Sequence, residues 1–186
     1  DIIIYGPGTQ YSSLLPSYLT LGVAEAIEMN AKAEKIFIAN IARDYDILGE
    51  DATTLVRSFL WNMSRKGTYP TVSQKFVTRF FFQKPEVTAS GETPYVPFNA
   101  DEFEYPMEKV RWIDWEGDKG KHSGTKTISE LLILVEDELE KKVHHLAHRI
   151  SIVVPVLDEV RTVKTVLENL KRLDLSKLRL DKEIIV

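Results

Sequence analysis

The chain has 186 residues, of which 44% are hydrophobic, and its 24 basic and 28 acidic side chains leave a formal net charge of −4. This balance lacks the basic footprint of a nucleic-acid-binding protein, and the absence of cysteine excludes disulfides and thiolate metal sites. No uninterrupted apolar run reaches transmembrane length, so we expect a cytoplasmic protein with no membrane contact through this segment.

The first part of the chain has the order of a βαβ unit. An apolar run predicts a strand at Ile2–Tyr5, and Ser12 or Ser13 is placed to cap the helix that follows. Gly22 is expected to interrupt this helix, which continues over residues 23–29. Further along, residues 36–40 read as a buried strand and residues 51–65 as a helix that stops at Gly67.

Residues 68–124 have a less regular pattern, because prolines and glycines recur through them. Two apolar runs, at residues 77–82 and 110–115, predict strands. A polar loop is expected over residues 116–121, and a long amphipathic helix over residues 127–148.

The hydrophobic pattern changes at Ile150, where a second βαβ unit is predicted from a strand at 151–156, a helix at 161–173 and a strand at 183–186. We therefore predict an α/β protein in which residues 1–149 form a Rossmann-like parallel sheet fragment. Residues 150–186 would begin a second α/β domain. Since the chain enters and leaves on strands without an initiator methionine, we expect it to be part of a longer protein.

The segment between the first strand and the first helix is the strongest candidate for ligand binding. Glycines let the backbone approach a ligand closely, and the free N–H groups at a helix start attract anions such as phosphate. The alternative is a tight strand–helix turn with a serine cap, in which Tyr11 packs inward instead of stacking on a base or sugar. The candidate residues are Gly6, Pro7, Gly8, Thr9, Tyr11, Ser12 and Ser13.

A second candidate cluster follows the strand that ends at Asn40. Ligands of α/β sheets collect at the carboxyl ends of strands. Arg43 has the two-pronged guanidinium that clamps phosphate, and Asp44 and Asp46 offer oxygen ligands for Mg²⁺. The alternative for this loop is a solvated Asp turn.

The histidines carry weaker signals. His144 and His148 stand four residues apart on the predicted long helix, which suits a metal pair, but basic side chains at a helix C-terminus are favoured by its dipole in any case. His122 is either a site residue or, more simply, a surface side chain. No nucleophile–base pair stands out, so the sequence assigns no catalytic residue.

Residues 6–16, GPGTQYSSLLP, resemble the 2-phospho-L-lactate transferase (CofD-like) family. That family's pattern is a strand, then Gly-Pro-Gly-Ser, Tyr-Thr-Ser and Leu-Pro; here Thr9 and Ser12 keep the hydroxyls. Residues 33–40, 96–101 and 110–115 and His122 fall in the family's order, so the resemblance spans about residues 1–148.

The resemblance implies a nucleotide-binding fold, since the family includes bacterial gluconeogenesis-factor proteins that bind nucleotide sugars. The family's glycine-rich nucleotide loop lies in an N-terminal half that this chain lacks. The residues after Asn40 read IARDYD where the family has Met-Thr-Gln-x-Gly-Glu-Thr.

Residues 150–159, ISIVVPVLDE, look like the opening strand of a family 2 glycosyltransferase, a nucleotide-diphospho-sugar transferase. This resemblance implies that Pro155, Val156, Asp158 and Glu159 line a nucleotide crevice.

Together these observations predict a fragment of a transferase that acts on nucleotide-activated substrates, by phospho-group or glycosyl transfer, with Mg²⁺ as cofactor. The alternatives are a regulatory module that binds a nucleotide sugar without turnover, and a scaffold without a ligand. The expected partner is a nucleotide or nucleotide sugar, and the sequence leaves a homo-oligomer open.

Overall fold

The computed structural model describes residues 1–64, 73–85, 93–118, 121–141, 148–153, 160–172, 174 and 180–185. The strands are β1 (Ile2–Tyr5), β2 (Glu34–Ile38), β3 (Arg79–Gln83), β4 (Val110–Ile113), β5 (Glu116–Asp118), β6 (Lys121–His122), β7 (His148–Val153) and β8 (Leu180–Ile185). The helices are α1 (Leu15–Tyr18), α2 (Val23–Met29), α3 (Ala52–Met63), α4 (Ser73–Phe76), α5 (Gly124–Lys141) and α6 (Val160–Arg172), with a π-helical turn at Gln10–Leu14 and 3-10 turns at Tyr45–Ile47 and Met107–Lys109.

Six strands form one parallel sheet in the order β4-β3-β2-β1-β7-β8, and β5 and β6 form a separate antiparallel pair. In the centre of the sheet Tyr5 of β1 is in register with Phe37 of β2. On the other side of β1, Ile3 is in register with Ser151 of β7. The predicted α/β fold with a Rossmann-like parallel sheet is confirmed.

The sheet is apolar on both faces, because successive side chains of its buried strands alternate between two hydrophobic clusters. One cluster joins strand residues to α1, α2 and α3, and it includes Tyr5, Phe37, Phe59, Phe80 and Phe82. The other joins the opposite face to α5, and it includes Ile36, Ile38, Phe81, Ile113, Leu131 and Leu134. Helices therefore cover both faces of the sheet.

The strand order reverses beside β1. From β1 the chain adds β2, β3 and β4 on one side, and it then returns to add β7 and β8 on the other side. In open α/β sheets of this kind, ligands bind at the carboxyl edge where the order reverses. The loop that starts at Gly6 follows β1 at this position.

Several predicted elements are confirmed with shifted ends. The strand at Ile2–Tyr5 and the helix Val23–Met29 match the expectation, and Gly22 begins the latter with a left-handed φ of 88°. The strands predicted at 36–40, 77–82 and 110–115 correspond to β2, β3 and β4, and the helix predicted at 51–65 is α3. Gly67 lies outside the described residues.

Three predictions about local structure were wrong. Most of the segment predicted as a polar loop at 116–121 is extended, because β5 pairs with β6, which starts at Lys121. The helix predicted to reach residue 148 starts earlier, at Gly124, and its described part ends at Lys141. His148 belongs to β7, because the chain must already be extended there to pair with β8, so the proposed helical histidine pair is not formed. His144 is outside the described residues.

Strands β7 and β8 are parallel neighbours joined through α6, as predicted, although both start three residues earlier than expected. The boundary predicted after residue 149 falls within β7, and β7 pairs with β1 in the same sheet. A separate second domain at 150–186 stays a prediction.

Candidate functional site

The loop after β1 leads into a π-helical turn. Thr9 is its N-terminal flanking residue, with an extended backbone (φ −60°, ψ 111°), and its carbonyl accepts the N–H groups of Ser13 and Leu14 at 3.1 Å. No side chain caps this turn. The serine cap predicted at Ser12 or Ser13 was wrong, because the turn already begins at Gln10 and both serines lie inside it.

The two glycines of this loop have different surroundings. A Cβ atom added to Gly6 would meet no described atom within 4 Å, whereas one added to Gly8 would approach the Leu14 side chain to 3.3 Å. Neither glycine has a positive φ. Gly8 therefore accommodates packing within the loop, and Gly6 is the position where the backbone borders open space.

The loop after β1 contacts the loop after β2. The backbone N–H of Ser12 donates to Oδ2 of Asp46 at 2.8 Å, and this bond holds the pKa of Asp46 below its ordinary value. Nearby, the Tyr11 hydroxyl donates to Glu50 Oε2 at 2.6 Å. Burial, and then this bond, raise the pKa of Tyr11 to about 12. The Tyr11 ring is partly buried and packs against the core, which favours the interpretation that it packs inward over the one in which it stacks on a base or sugar.

The loop after Asn40 is an Asp turn built on its own carboxylates. Asp44 accepts from the backbone N–H of Asp46 at 3.0 Å and from Asn40 Nδ2 at 3.3 Å. Arg43 is anchored by its backbone N–H to the Pro94 carbonyl at 3.3 Å. Its Nε atom is buried with no hydrogen-bond partner in the part of the chain that the structure describes. The Arg43 guanidinium therefore has one N–H group, at Nε, that no described residue accepts.

The metal prediction has no direct support from this arrangement. Asp44 and Asp46 are both engaged in hydrogen bonds within the protein. Within the described ranges no three His, Cys, Asp or Glu side chains are grouped to hold a metal ion. Two carboxylates with Asn40 suit a hard cation by donor type, and Mg²⁺ stays a prediction.

His122 is packed over the end of β2 and is not a surface side chain. Its Nε2 atom lies 3.1 Å from the Ala39 carbonyl, and its ring meets Trp115 edge-on at 5.0 Å. Burial lowers the pKa of His122 to about 4, so the ring is neutral at pH 7. Since a carbonyl only accepts, Nε2 carries the proton and Nδ1 is the acceptor nitrogen.

Tyr95 is a residue of this edge that sequence reasoning missed. It forms an isolated antiparallel bridge with Ala42, and its hydroxyl donates to Glu116 of β5. The contact joins the loop after β2 to the β5–β6 pair. Nothing in the sequence around Tyr95 signals it, because the three segments are distant along the chain.

The carboxyl edge of the sheet therefore brings together the loop after β1, the loop after β2 and His122. The other predicted nucleotide residues, Pro155, Val156, Asp158 and Glu159, lie outside the described residues. None of the described helices has both the length and the apolar character needed to cross a membrane.

Three curated proteins with similarity to the chain are gluconeogenesis factors. The chain is 26% identical over 138 residues to one from Thermoanaerobacterium thermosulfurigenes, a match that covers 74% of this chain and 36% of the relative. Over 41 residues the chain is 44% identical to a relative from Halalkalibacterium halodurans and 46% identical to one from Thermotoga maritima. Each of these matches covers 22% of this chain, and they cover 12% and 13% of the respective relatives.

The match to the Thermoanaerobacterium relative supports the resemblance to the CofD-like family over 74% of the chain, and the other two matches support it over 22%. The chain spans about a third of the length of the Thermoanaerobacterium relative. No protein-family model matches it. The glycosyltransferase resemblance of the last residues finds no support among these relatives.

Proposed function

We propose that this chain binds a nucleotide sugar as part of a regulatory protein of the gluconeogenesis-factor type. The observation that carries the proposal is the position of Gly6. Its loop follows the strand beside which the strand order reverses, and its backbone borders open space there. The curated relatives are named as factors, which favours regulation over turnover.

The residues at the carboxyl edge of the sheet suit the binding of a diphosphate group. Gly6 carries no side chain to obstruct a phosphate oxygen, although the peptide group that follows it offers no N–H because the next residue is Pro7. Arg43, in the neighbouring loop, carries the positive charge that a phosphate would need. The Asp46 carboxylate already accepts the Ser12 N–H. On this proposal a phosphate would bind beside Gly6, or it would displace Asp46 from the Ser12 N–H.

A phospho-group transferase is the second candidate, and His122 favours it. A neutral imidazole whose Nε2–H is held by Ala39 presents Nδ1 as a hydrogen-bond acceptor. A pKa of about 4 makes this nitrogen a weak base at pH 7, so in such an enzyme His122 would accept a hydrogen bond from an attacking hydroxyl group without taking its proton. Glycosyl transfer depends on residues 154–159, which are outside the described part, and it stays a prediction.

The proposal is tested by substituting Gly6 and measuring affinity for a panel of UDP-, GDP- and ADP-sugars by calorimetry. Gly6→Val should weaken binding of the preferred nucleotide sugar at least fivefold with an unchanged circular dichroism spectrum, because the new side chain enters the space beside the loop. Gly124→Ala is the control, since a Cβ there also meets nothing within 4 Å.

An unchanged affinity in Gly6→Val would remove the proposed site. If the wild type converts a bound nucleotide substrate to a released product and His122→Gln does not, the result would favour a transferase over a regulatory protein.

A further inference from the structure

Two buried N–H donors, at the carboxyl ends of β3 and β4, have no acceptor among the residues that the structure describes. Gln83 is 8% exposed and Trp115 is fully buried. Neither Gln83 Nε2 nor Trp115 Nε1 has a hydrogen-bond partner within the residues that the structure describes. Buried polar groups are nearly always satisfied, by protein, by water or by a ligand.

The two side chains are neighbours on the α5 face of the sheet. Gln83 is in register with Ile113, and Trp115 follows two residues later, so by the alternation of strands it continues on the same face. The backbone N–H of Trp115 donates to Gln83 Oε1 at 3.2 Å. This bond fixes the orientation of the amide, because its oxygen must face the Trp115 N–H and its NH₂ group must point elsewhere.

Aromatic rings and the start of α5 enclose the pair. The Trp115 ring lies against Phe81, with ring centroids 6.0 Å apart, and against His122 at 5.0 Å. The Trp115 carbonyl accepts the N–H of Ser123 at 2.8 Å, which ties it to the start of α5. Neither donor can therefore turn to a new partner without repacking the aromatic contacts.

We propose that Gln83 and Trp115 form a buried site for an oxygen acceptor. The chemistry is that of an atom that accepts two N–H groups: an internal water molecule, or an oxygen of a small oxyanion such as phosphate or a carboxylate. The site is separate from the Gly6 loop and does not depend on the proposed function. It lies below His122, on the side of the sheet covered by α5.

The test is nuclear magnetic resonance of the ¹⁵N-labelled chain, read at the indole N–H of Trp115. The resonance is assigned by its loss in Trp115→Phe, which keeps an aromatic ring against Phe81 and His122. Magnetisation transfer to a long-lived water is expected if water fills the site. A shift of the same resonance on titration with inorganic phosphate or formate, with loss of the water signal, would identify an oxyanion.

Trp61, which is half exposed, supplies an internal control because its indole N–H should exchange rapidly with bulk water. In Gln83→Leu the water or anion signal at Trp115 should fall at least twofold, since one of the two donors is removed. A Trp115 indole that shows neither a long-lived water nor a response to phosphate or formate would overturn the proposal.

Discussion

Ser12 donates its backbone N–H to the Asp46 carboxylate at 2.8 Å, and this bond joins the loops that follow β1 and β2. The N–H groups at the start of a helical segment attract anions, and here the Asp46 carboxylate already accepts one of them, that of Ser12. The Asp46 charge opposes any phosphate that approaches the same loop. Neutralising it, by mutation or by a cation, should favour binding of an anionic ligand.

The first prediction concerns Asp46→Asn in metal-free buffer. The amide oxygen can still accept the Ser12 N–H, so the loop should keep its conformation while it loses a negative charge. Affinity for the preferred nucleotide sugar should rise severalfold in calorimetry. Glu102→Gln is the control, since Glu102 pairs with Arg57 on the surface. Weaker binding in Asp46→Asn would contradict a repulsive role for Asp46.

The second prediction concerns magnesium. If Mg²⁺ bridges the ligand to the loop after Asn40, replacing both Asp44 and Asp46 with alanine should abolish the Mg²⁺ dependence of nucleotide-sugar affinity. The measurement compares binding with Mg²⁺ and with a chelator in wild type and double variant. If the affinity of the double variant depends on Mg²⁺ as strongly as that of the wild type, the loop is an Asp turn that does not bind the metal.

The third prediction follows from the partly buried, neutral His122. Its pKa is about 4 in the folded chain against 6.5 for the ordinary group, so the unfolded chain binds a proton between these pH values that the folded chain does not. His122 therefore lowers stability as pH falls from about 6.5 towards 4, by up to about 1.4 kcal/mol per pH unit.

The contribution of His122 to this loss of stability is measured by comparing the urea unfolding of the wild type and of His122→Gln at several pH values. The carboxylates titrate in both proteins, so their effects cancel in the difference. The difference in unfolding free energy should shift in favour of the variant as pH falls from 7 to 5. A pH-independent difference would show that His122 titrates normally.

The fourth prediction tests the core. Phe59 is fully buried and its ring packs against Tyr5, Tyr18 and Phe37 at centroid distances of 4.7, 4.9 and 5.1 Å. Phe59→Ala should destabilise the fold by about 3–5 kcal/mol. Trp61→Ala on the same helix is the control, and its effect should be much smaller because Trp61 is half exposed. Equal effects would contradict the packing of α3.

The fifth prediction tests whether β7 is an integral strand of the sheet. Ser151 lies between Ile3 of β1 and Glu183 of β8, and proline there removes an N–H from the ladder. Ser151→Pro should accelerate hydrogen exchange of the amides at residues 36–38 in β2, whereas Ser151→Ala should not. Unchanged exchange in β2 would favour the separate second domain predicted from sequence.

Some features of the fold were predictable from sequence because they depend on local patterns. Continuous apolar runs identified the buried strands β1 and β2, and four-residue spacing identified α3. The two candidate loops follow the ends of β1 and β2, as the apolar runs before them indicated, and parallel strands bring those ends to one edge. Element ends were less accurate because strand pairing decides them, as His148 shows in β7.

Local sequence patterns were enough to give the alternation of strands and helices, and hence an α/β sheet with its polar loops at one edge. The partners of those loops were set only when the chain had folded. The Asp46 bond to Ser12, the Ala39 carbonyl that fixes His122, and the Trp115 N–H that donates to Gln83 all join segments far apart in the chain. Such contacts depend on strand order and side-chain packing, which no local pattern encodes.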